Sequence, residues 1–336
     1  MKHCSIKLLF LETLVVLRLF EFLSITLEMQ EIYQKTVSTP VSFKGVGLHS
    51  GKNCKITILP AGNDQGIIFK RIDLSKNNII KANYENVSSA KLCTTLENAF
   101  NVRVSTVEHL LAALYIRGID NAIIEIDNEE VPIMDGSAKD FSRVFKKLKL
   151  KVLEKKRKFL KILEKIELNF GEKKISIEPS ESLKVDFTLN YKNKIIGNQR
   201  NLVDFKENNL NKIIESRTFC LFEDIESIKK LGLAKGGSLD NAIVVGADEV
   251  LNKEGLRNTK EFVNHKILDL AGDFVLSGFR ICGKVICNQG GHELTNMFLR
   301  KIFKLKDSFT IIENEKVNIT GKTLNSYQSN KIAVNA

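Results

Sequence analysis

The chain has 336 residues, enough for two domains with full cores, and its 43% hydrophobic and 27% charged residues exclude a disordered protein. A formal net charge of +11 points to an acidic partner (nucleic acid, an anionic membrane surface or a phosphorylated substrate), although a lysine-rich composition gives the same sum without one. Six cysteines, Cys4, Cys54, Cys93, Cys220, Cys282 and Cys287, are scattered without CxxC spacing, which excludes a disulfide framework and a thiolate zinc cluster and fits a reducing cytoplasm.

In chain order, residues 1–29 differ in pattern from the rest of the chain. Ile6 to Leu27 is rich in Leu, Ile and Phe, but Glu12, Arg18 and Glu21 interrupt it, and each is costly at the centre of a membrane helix. The segment is expected to be a dispensable extension, from an upstream start codon, with a membrane-surface helix as the alternative. Residues 30–155 read as one α+β domain. Strands are expected over Thr36–Phe43 and Lys55–Leu59, with a glycine-rich turn, Gly45 to Gly51, between them. That turn lacks the GxxxxGK[ST] and GxGxxG patterns of phosphate loops. Short strands come next around Asn86–Thr95, then a helix opening at Ser105 and closed by Gly118, a strand over Asn121–Ile126, and a helix from Asp140 to Leu148. The lysine-rich run Lys146–Lys161 shows no packed pattern and is expected to hold the domain linker, near residue 155.

Residues 156–310 read as a second α+β domain. Strands are expected over Phe159–Leu168, Lys173–Pro179 and Lys184–Tyr191, the first two as a hairpin. Another strand opens at Glu215–Phe219, followed by a helix over Asp224–Leu231 and a strand over Asn241–Val245. A helix then starts at Glu261, a strand covers Arg280–Cys287, and a last helix runs from His292 to Lys304. Residues 311–336 are expected to be a polar tail.

The helix at Glu261 carries the most chemistry. His265 and Asp269 are four residues apart and project from one face, and Asp273 extends that row by a turn. An imidazole and a carboxylate so placed can ligate zinc, or form an ordinary solvated contact. His109 is the candidate third ligand, which would give a two-His, one-carboxylate site with an open position, as catalytic zinc requires. Glu108 beside it is then a candidate general base, His292 a proton donor, and Asp273 the group that orients His292. Against this, Ser105-x-x-Glu108 fits a capping box in which Glu108 only closes its own helix. Neither HExxH nor HxxEH occurs.

The segments Gly45–Gly51, Ser105–Leu110, Pro132–Ser137, Ser216–Phe219, Phe262–Asp269 with Gly272-Asp273, and Gly291-His292 together resemble, in the same order, those of UDP-3-O-acyl-N-acetylglucosamine deacetylase, the zinc amidase of lipid A synthesis. The resemblance spans about residues 30–305. It implies that His109, His265 and Asp269 hold Zn2+, that Glu108 is the general base toward water on the metal, and that His292, paired with Asp273, is the general acid. It further implies that Thr218 stabilises the oxyanion, Phe219 packs on the sugar, Lys266 meets the polar head, and Cys93, near the metal, is at most modulatory. Lys173 falls where the family offers a lysine to the diphosphate, with Lys174 as an alternative register, and Tyr191 where it offers a ring to uracil. For Tyr191 the alternative is a strand-end core residue.

The implied fold is two similar domains, each a two-layer α/β sandwich, with the active site between them and a β-α-β insert at about 216–245 that passes the acyl chain. Phe222, Ile225, Ile228, Leu231 and Leu233 give that insert an apolar stripe, which core packing explains equally well. The implied reaction releases acetate from the UDP-linked acylated sugar, the committed step of lipid A synthesis, by a cytoplasmic monomer with peripheral inner-membrane contact as a further expectation. A zinc deacetylase of another N-acetylated sugar shares the metal site. A basic nucleic-acid-binding protein is the reading from a different class, disfavoured by the absence of Trp and of any binding motif.

Overall fold

A computed structural model describes residues 32–207 and 209–313. In chain order its first half runs β1 (Tyr33–Val37), β2 (Val41–Val46), β3 (Asn53–Leu59), β4 (Ile67–Arg71), β5 (Ile79–Lys81), β6 (Val87–Ser89), β7 (Thr95–Glu97), β8 (Arg103–Val104), α1 (Glu108–Ile116), β9 (Ala122–Ile126) and α2 (Lys139–Lys147). The strands β10 (Leu150–Lys156), β11 (Lys158–Ile162), β12 (Ile166–Phe170), β13 (Lys173–Glu178), β14 (Leu183–Asn190) and β15 (Asn198–Asp204) come next. Then come α3 (Asn211–Ile214), β16 (Phe219–Leu221), α4 (Ile225–Lys230), β17 (Ile243–Val245), α5 (Glu261–Val275), β18 (Arg280–Asn288), α6 (His292–Lys304) and β19 (Phe309–Glu313). The chain is α+β.

One sheet has the order β2-β3-β9-β4-β5. Its strands alternate: Cys54, Ile56 and Ile58 of β3 and Ala122, Ile124 and Ile126 of β9 are buried, with Lys55 and Lys81 turned outward. A second, larger sheet has seven strands around β18, whose nine residues pair in parallel with β11 and β14 and antiparallel with β13, and β6, β7 and β8 form a small sheet of their own. One contiguous apolar core runs from Val37 to Ile302 through both. Helix α5 is buried along nearly its whole length and lies against α1, α6, β14 and β15. Its contact with α1 depends on Gly272, because a Cβ there would sit 2.1 Å from the Glu108 carbonyl oxygen. Strands β16 and β17 pair in parallel with α4 between them, a β-α-β unit.

Several sequence expectations need correction. The run Lys146–Lys161 is not an unpacked linker. Residues 150–156 form β10, paired antiparallel with β1 from Tyr33↔Lys156 to Val37↔Leu150, and β11 starts two residues later. Between them Arg157 is buried and donates to Asp120 at 2.8 Å and to the Gly118 carbonyl at 2.6 Å. A ribbon that rests on one strand needs few apolar residues, so its lysines hid it. The expected strand Thr36–Phe43 breaks at Ser38–Pro40, where Pro40 removes a ladder donor. Likewise Phe159–Leu168 divides into β11 and β12, and only β12 forms the hairpin with β13. Strands β4, β5, β8 and β15 and helix α3 fall where the sequence reading expects no element. Strand β15 alternates in burial, but its inward positions Gln199 and Asn201 are polar and its Leu202 is exposed, so no apolar alternation marks it. Strand β19 pairs with β11 through Glu313, which carries the sheet past the tail boundary at 310. The expectations for residues 1–29, and for the tail from residue 314, lie outside the described residues.

Candidate active site

Helix α5 places His265, Asp269 and Asp273 one turn apart on a single buried face. Helix α1 starts at Glu108, so Glu108 and His109 leave its first turn where α1 touches α5. His265 Nε2 lies 3.3 Å, and His109 Nε2 3.4 Å, from the same atom, Asp269 Oδ1. The two imidazoles meet edge to face with centroids 4.9 Å apart. One donor atom from each of the three residues falls within 4.8 Å of the others.

Whether these residues suit a metal ion can be tested on Asp269. Its Oδ2 accepts Lys266 Nζ at 3.1 Å, but its Oδ1 is buried and has no hydrogen-bond partner among the described residues. A carboxylate oxygen taken from water and left unpaired is costly, so a bare Oδ1 facing two imidazole nitrogens calls for a cation. Two imidazoles and a carboxylate are donors suited to zinc. Burial pushes the His265 imidazole down to about 3, with His109 and Lys266 adding to the effect and Asp269 opposing it, which leaves the neutral ring a ligand must be. Its Nδ1 faces the Ser216 carbonyl at 3.0 Å, leaving Nε2 for a metal. Burial alone would raise Asp269, but His265, Lys266, His109 and His292 hold it well below the usual carboxylate range.

Beside the cluster stands a second group. His292 Nδ1 is 2.8 Å from Asp273 Oδ2, and His292 Nε2 is 3.7 Å from Glu108 Oε1. Thr94 joins the two carboxylates: its amide donates to Glu108 Oε2 at 3.1 Å and its hydroxyl to Asp273 Oδ1 at 2.6 Å. Burial raises the Glu108 carboxyl above its ordinary value against the pull of His292 and His109. For His292 burial acts downward, but Asp273, Glu108 and Asp269 prevail and raise it to about 10. The arrangement thus offers a carboxylate of raised basicity next to an imidazole that keeps its proton at neutral pH.

The capping-box alternative for Glu108 fails here. Val107 is the helix cap and makes no side-chain cap bond, Ser105 Oγ donates to the Glu129 carbonyl, and Glu108 turns to Thr94 and His292.

The other candidates fall in different places. Phe219 packs edge-on against Phe262 at 5.0 Å and His265 at 6.4 Å, and the Tyr191 ring lies 6.0 Å from it. Lys266 Nζ is 5.4 Å from the Phe219 centroid, so Phe219, Tyr191 and Lys266 form one wall beside the cluster. Thr218 is pinned between neighbouring segments, its amide on the Gly136 carbonyl and its own carbonyl receiving the Ile243 amide, both at 2.8 Å. Lys173 is exposed at the start of β13, opposite Phe170, and no described contact ties it to the cluster. Cys93 is buried, and burial with Glu108 nearby pushes its thiol up to about 12. In the insert Phe222 and Leu231 are exposed, so core packing does not account for them.

Sequence reasoning missed Thr94, whose two partners lie 14 and 179 residues away, and no local pattern announces it. It also missed Glu130. This buried carboxylate receives the His49 and Ser50 amides and the Thr106 hydroxyl at 2.7–2.8 Å. It thereby ties the Gly47–Ser50 turn to the residue two before Glu108.

A family model described as UDP-3-O-acyl N-acetylglycosamine deacetylase matches residues 34–304. The chain belongs to this family. It is 41% identical over 283 residues to the UDP-3-O-acyl-N-acetylglucosamine deacetylase of Citrifermentans bemidjiense, covering 84% of this chain and 92% of that one. The protein of the same name from Colwellia psychrerythraea is 41% identical over 287 residues, covering 84% and 94%. As a member of this deacetylase family the chain is an enzyme, a hydrolase.

Proposed function

We propose that the chain hydrolyses the N-acetyl amide of UDP-3-O-acyl-N-acetylglucosamine, releasing acetate and the free amine, in lipid A synthesis, with zinc held by His109, His265 and Asp269. The observation that carries this reading is Asp269 Oδ1, buried and unpaired between two imidazole nitrogens and beside a Glu108–His292 pair. A zinc ion there supplies Lewis acidity toward the amide carbonyl and makes water a better nucleophile.

The residues of the chain do the rest. Glu108 Oε1 accepts a proton from the attacking water, while Thr94 holds Oε2 and fixes the carboxylate plane. As the new C–O bond forms, Thr218 stabilises negative charge on the carbonyl oxygen. His292 Nε2 then gives its proton to the amine nitrogen as the C–N bond breaks, and Asp273 keeps the ring oriented and charged until that moment. Phe219 packs on the sugar and Lys266 meets its polar groups, consistent with their shared wall. Tyr191 and Lys173 serve the uracil and diphosphate. Tyr191 adjoins Phe219, and the β13 end that bears Lys173 lies beside Asn288, four residues before His292. The five described cysteines are unpaired, which supports a cytoplasmic setting.

The test is acetate release from the UDP-linked monoacyl sugar by the purified protein. Release by wild type and its loss in Glu108→Gln are expected. No release by a zinc-loaded, folded wild type would refute the assignment.

A further inference from the structure

One peptide unit connects two residues of α5 across a loop. The Arg217 amide donates to Glu261 Oε1 at 3.1 Å, and the Ser216 carbonyl of that same peptide faces His265 Nδ1 at 3.0 Å. Because the peptide is planar and trans, fixing its N–H fixes its C=O. Glu261 and His265 are one helical turn apart, so the carboxylate, the peptide and the imidazole form a row along α5.

Glu261 is held in turn. Fully buried at the N-terminus of α5, it also accepts the Arg217 Nε at 2.9 Å and the Arg257 amide at 2.5 Å. Arg217, 1% exposed, completes its fork on Glu254 at 2.6 Å and the Gly255 carbonyl at 2.7 Å. A buried ion pair is weak support for stability, since apolar replacements of similar volume often serve as well. Its geometry is the more telling property. Polarised by the carboxylate on its N–H, the 216–217 carbonyl becomes a stronger acceptor, and cooperative chains of this kind strengthen each link.

We propose that Glu261 and Arg217 are positioning residues for the metal site: through the Ser216–Arg217 peptide they hold His265 as the Nδ1–H tautomer with Nε2 presented to the metal. Glu261 bonds Arg217 and the Arg257 amide and reaches His265 only through that peptide. The peptide also leads directly into Thr218 and Phe219. This inference rests on the assignment of His265 as a ligand and deepens it. Partners that orient a ligating imidazole typically change metal affinity or activity 10–100-fold when removed, a range of about one to two decades.

The test uses the full chain with Glu261→Gln, which keeps an acceptor oxygen and loses the charge, and Arg217→Lys, which keeps the charge and loses the fork. Zinc affinity is measured by chelator competition, with kcat, KM and the Tm of the metal-free protein alongside. A Phe145→Leu control trims a buried side chain of α2 that packs against Phe43 and has no part in the proposed site. The proposal expects zinc affinity and kcat about tenfold or more lower in both variants with KM within about twofold, and a control that lowers Tm without weakening zinc. It is overturned if zinc affinity and kcat stay within twofold of wild type, if only Tm falls, or if the control weakens zinc as much. Should Arg217→Lys not fold, Glu261→Gln decides by the same criteria. Chelator competition needs no substrate, so a wild type that binds zinc but releases no acetate would sink the proposed reaction and leave this inference standing.

Discussion

His292 Nδ1 and Asp273 Oδ2 stand 2.8 Å apart, and the other oxygen of that carboxylate takes the Thr94 hydroxyl at 2.6 Å. Asp273 is the largest favourable contribution that keeps His292 protonated against the pull of burial. Asp273→Asn should therefore move the alkaline limb of the pH–rate profile down toward the ordinary imidazole value near 6.5. The loss in kcat should be on the order of 10²-fold at pH 9 and smaller at pH 6, since general-acid catalysis contributes that much. A profile unchanged in shape would remove His292 from the proton-donor role.

Glu108→Gln keeps the size of the side chain and its oxygen acceptor for the Thr94 amide, but cannot take a proton. Zinc content should match wild type, and kcat should fall roughly 10²–10⁴-fold. Metal analysis with steady-state rates checks both halves. Near wild-type turnover would return Glu108 to a purely structural part.

Gly272 sets how closely α5 approaches α1. A methyl group there would meet the Glu108 carbonyl oxygen at 2.1 Å, a backbone atom that cannot turn aside. Gly272→Ala should cost about 1–3 kcal/mol of stability, as overpacking does. It should also weaken zinc, because moving α1 carries His109 away from Asp269. Thermal unfolding and chelator competition report the two effects separately, and a drop in Tm with unchanged zinc affinity would show that α1 yields without displacing its ligand.

Two histidines should shape the stability of the metal-free protein in opposite directions. The His265 pKa falls from 6.5 to about 3 on folding, so its contribution is full above 6.5 and is lost as pH falls toward 3. That of His292 rises from 6.5 to about 10, so its contribution is full below 6.5 and is lost as pH rises toward 10. Together they predict a maximum near pH 6.5. In His292→Gln the alkaline decline should flatten while the acid decline remains, which denaturant melts across pH would reveal.

Much of this arrangement was legible in the sequence because helix spacing is regular. His265, Asp269 and Asp273 recur every four residues on an apolar-faced segment, and α5 projects them as that spacing demands. The mixed α+β class came from strands that alternate, such as β3 and β9. What spacing could not show was convergence. His109 reaches Asp269, 160 residues further along the chain, only because Gly272 lets two helices touch. Thr94 and the Ser216–Arg217 peptide were invisible for the same reason, since each acts through a hydrogen bond to a distant element. The lysine-rich strand β10 was hidden differently: a strand that leans on one neighbour shows little periodicity. Glu108 shows the opposite hazard, a local motif that fits a cap while the side chain is used elsewhere.

The most direct test is acetate release from UDP-3-O-acyl-N-acetylglucosamine by the wild-type protein before and after removal of metal by a chelator, and again after one equivalent of zinc. The account predicts that stripping abolishes release and that zinc restores it in wild type but not in Asp269→Ala, whose unpaired Oδ1 is gone. Undiminished release by fully stripped protein, or full restoration in Asp269→Ala, would contradict it.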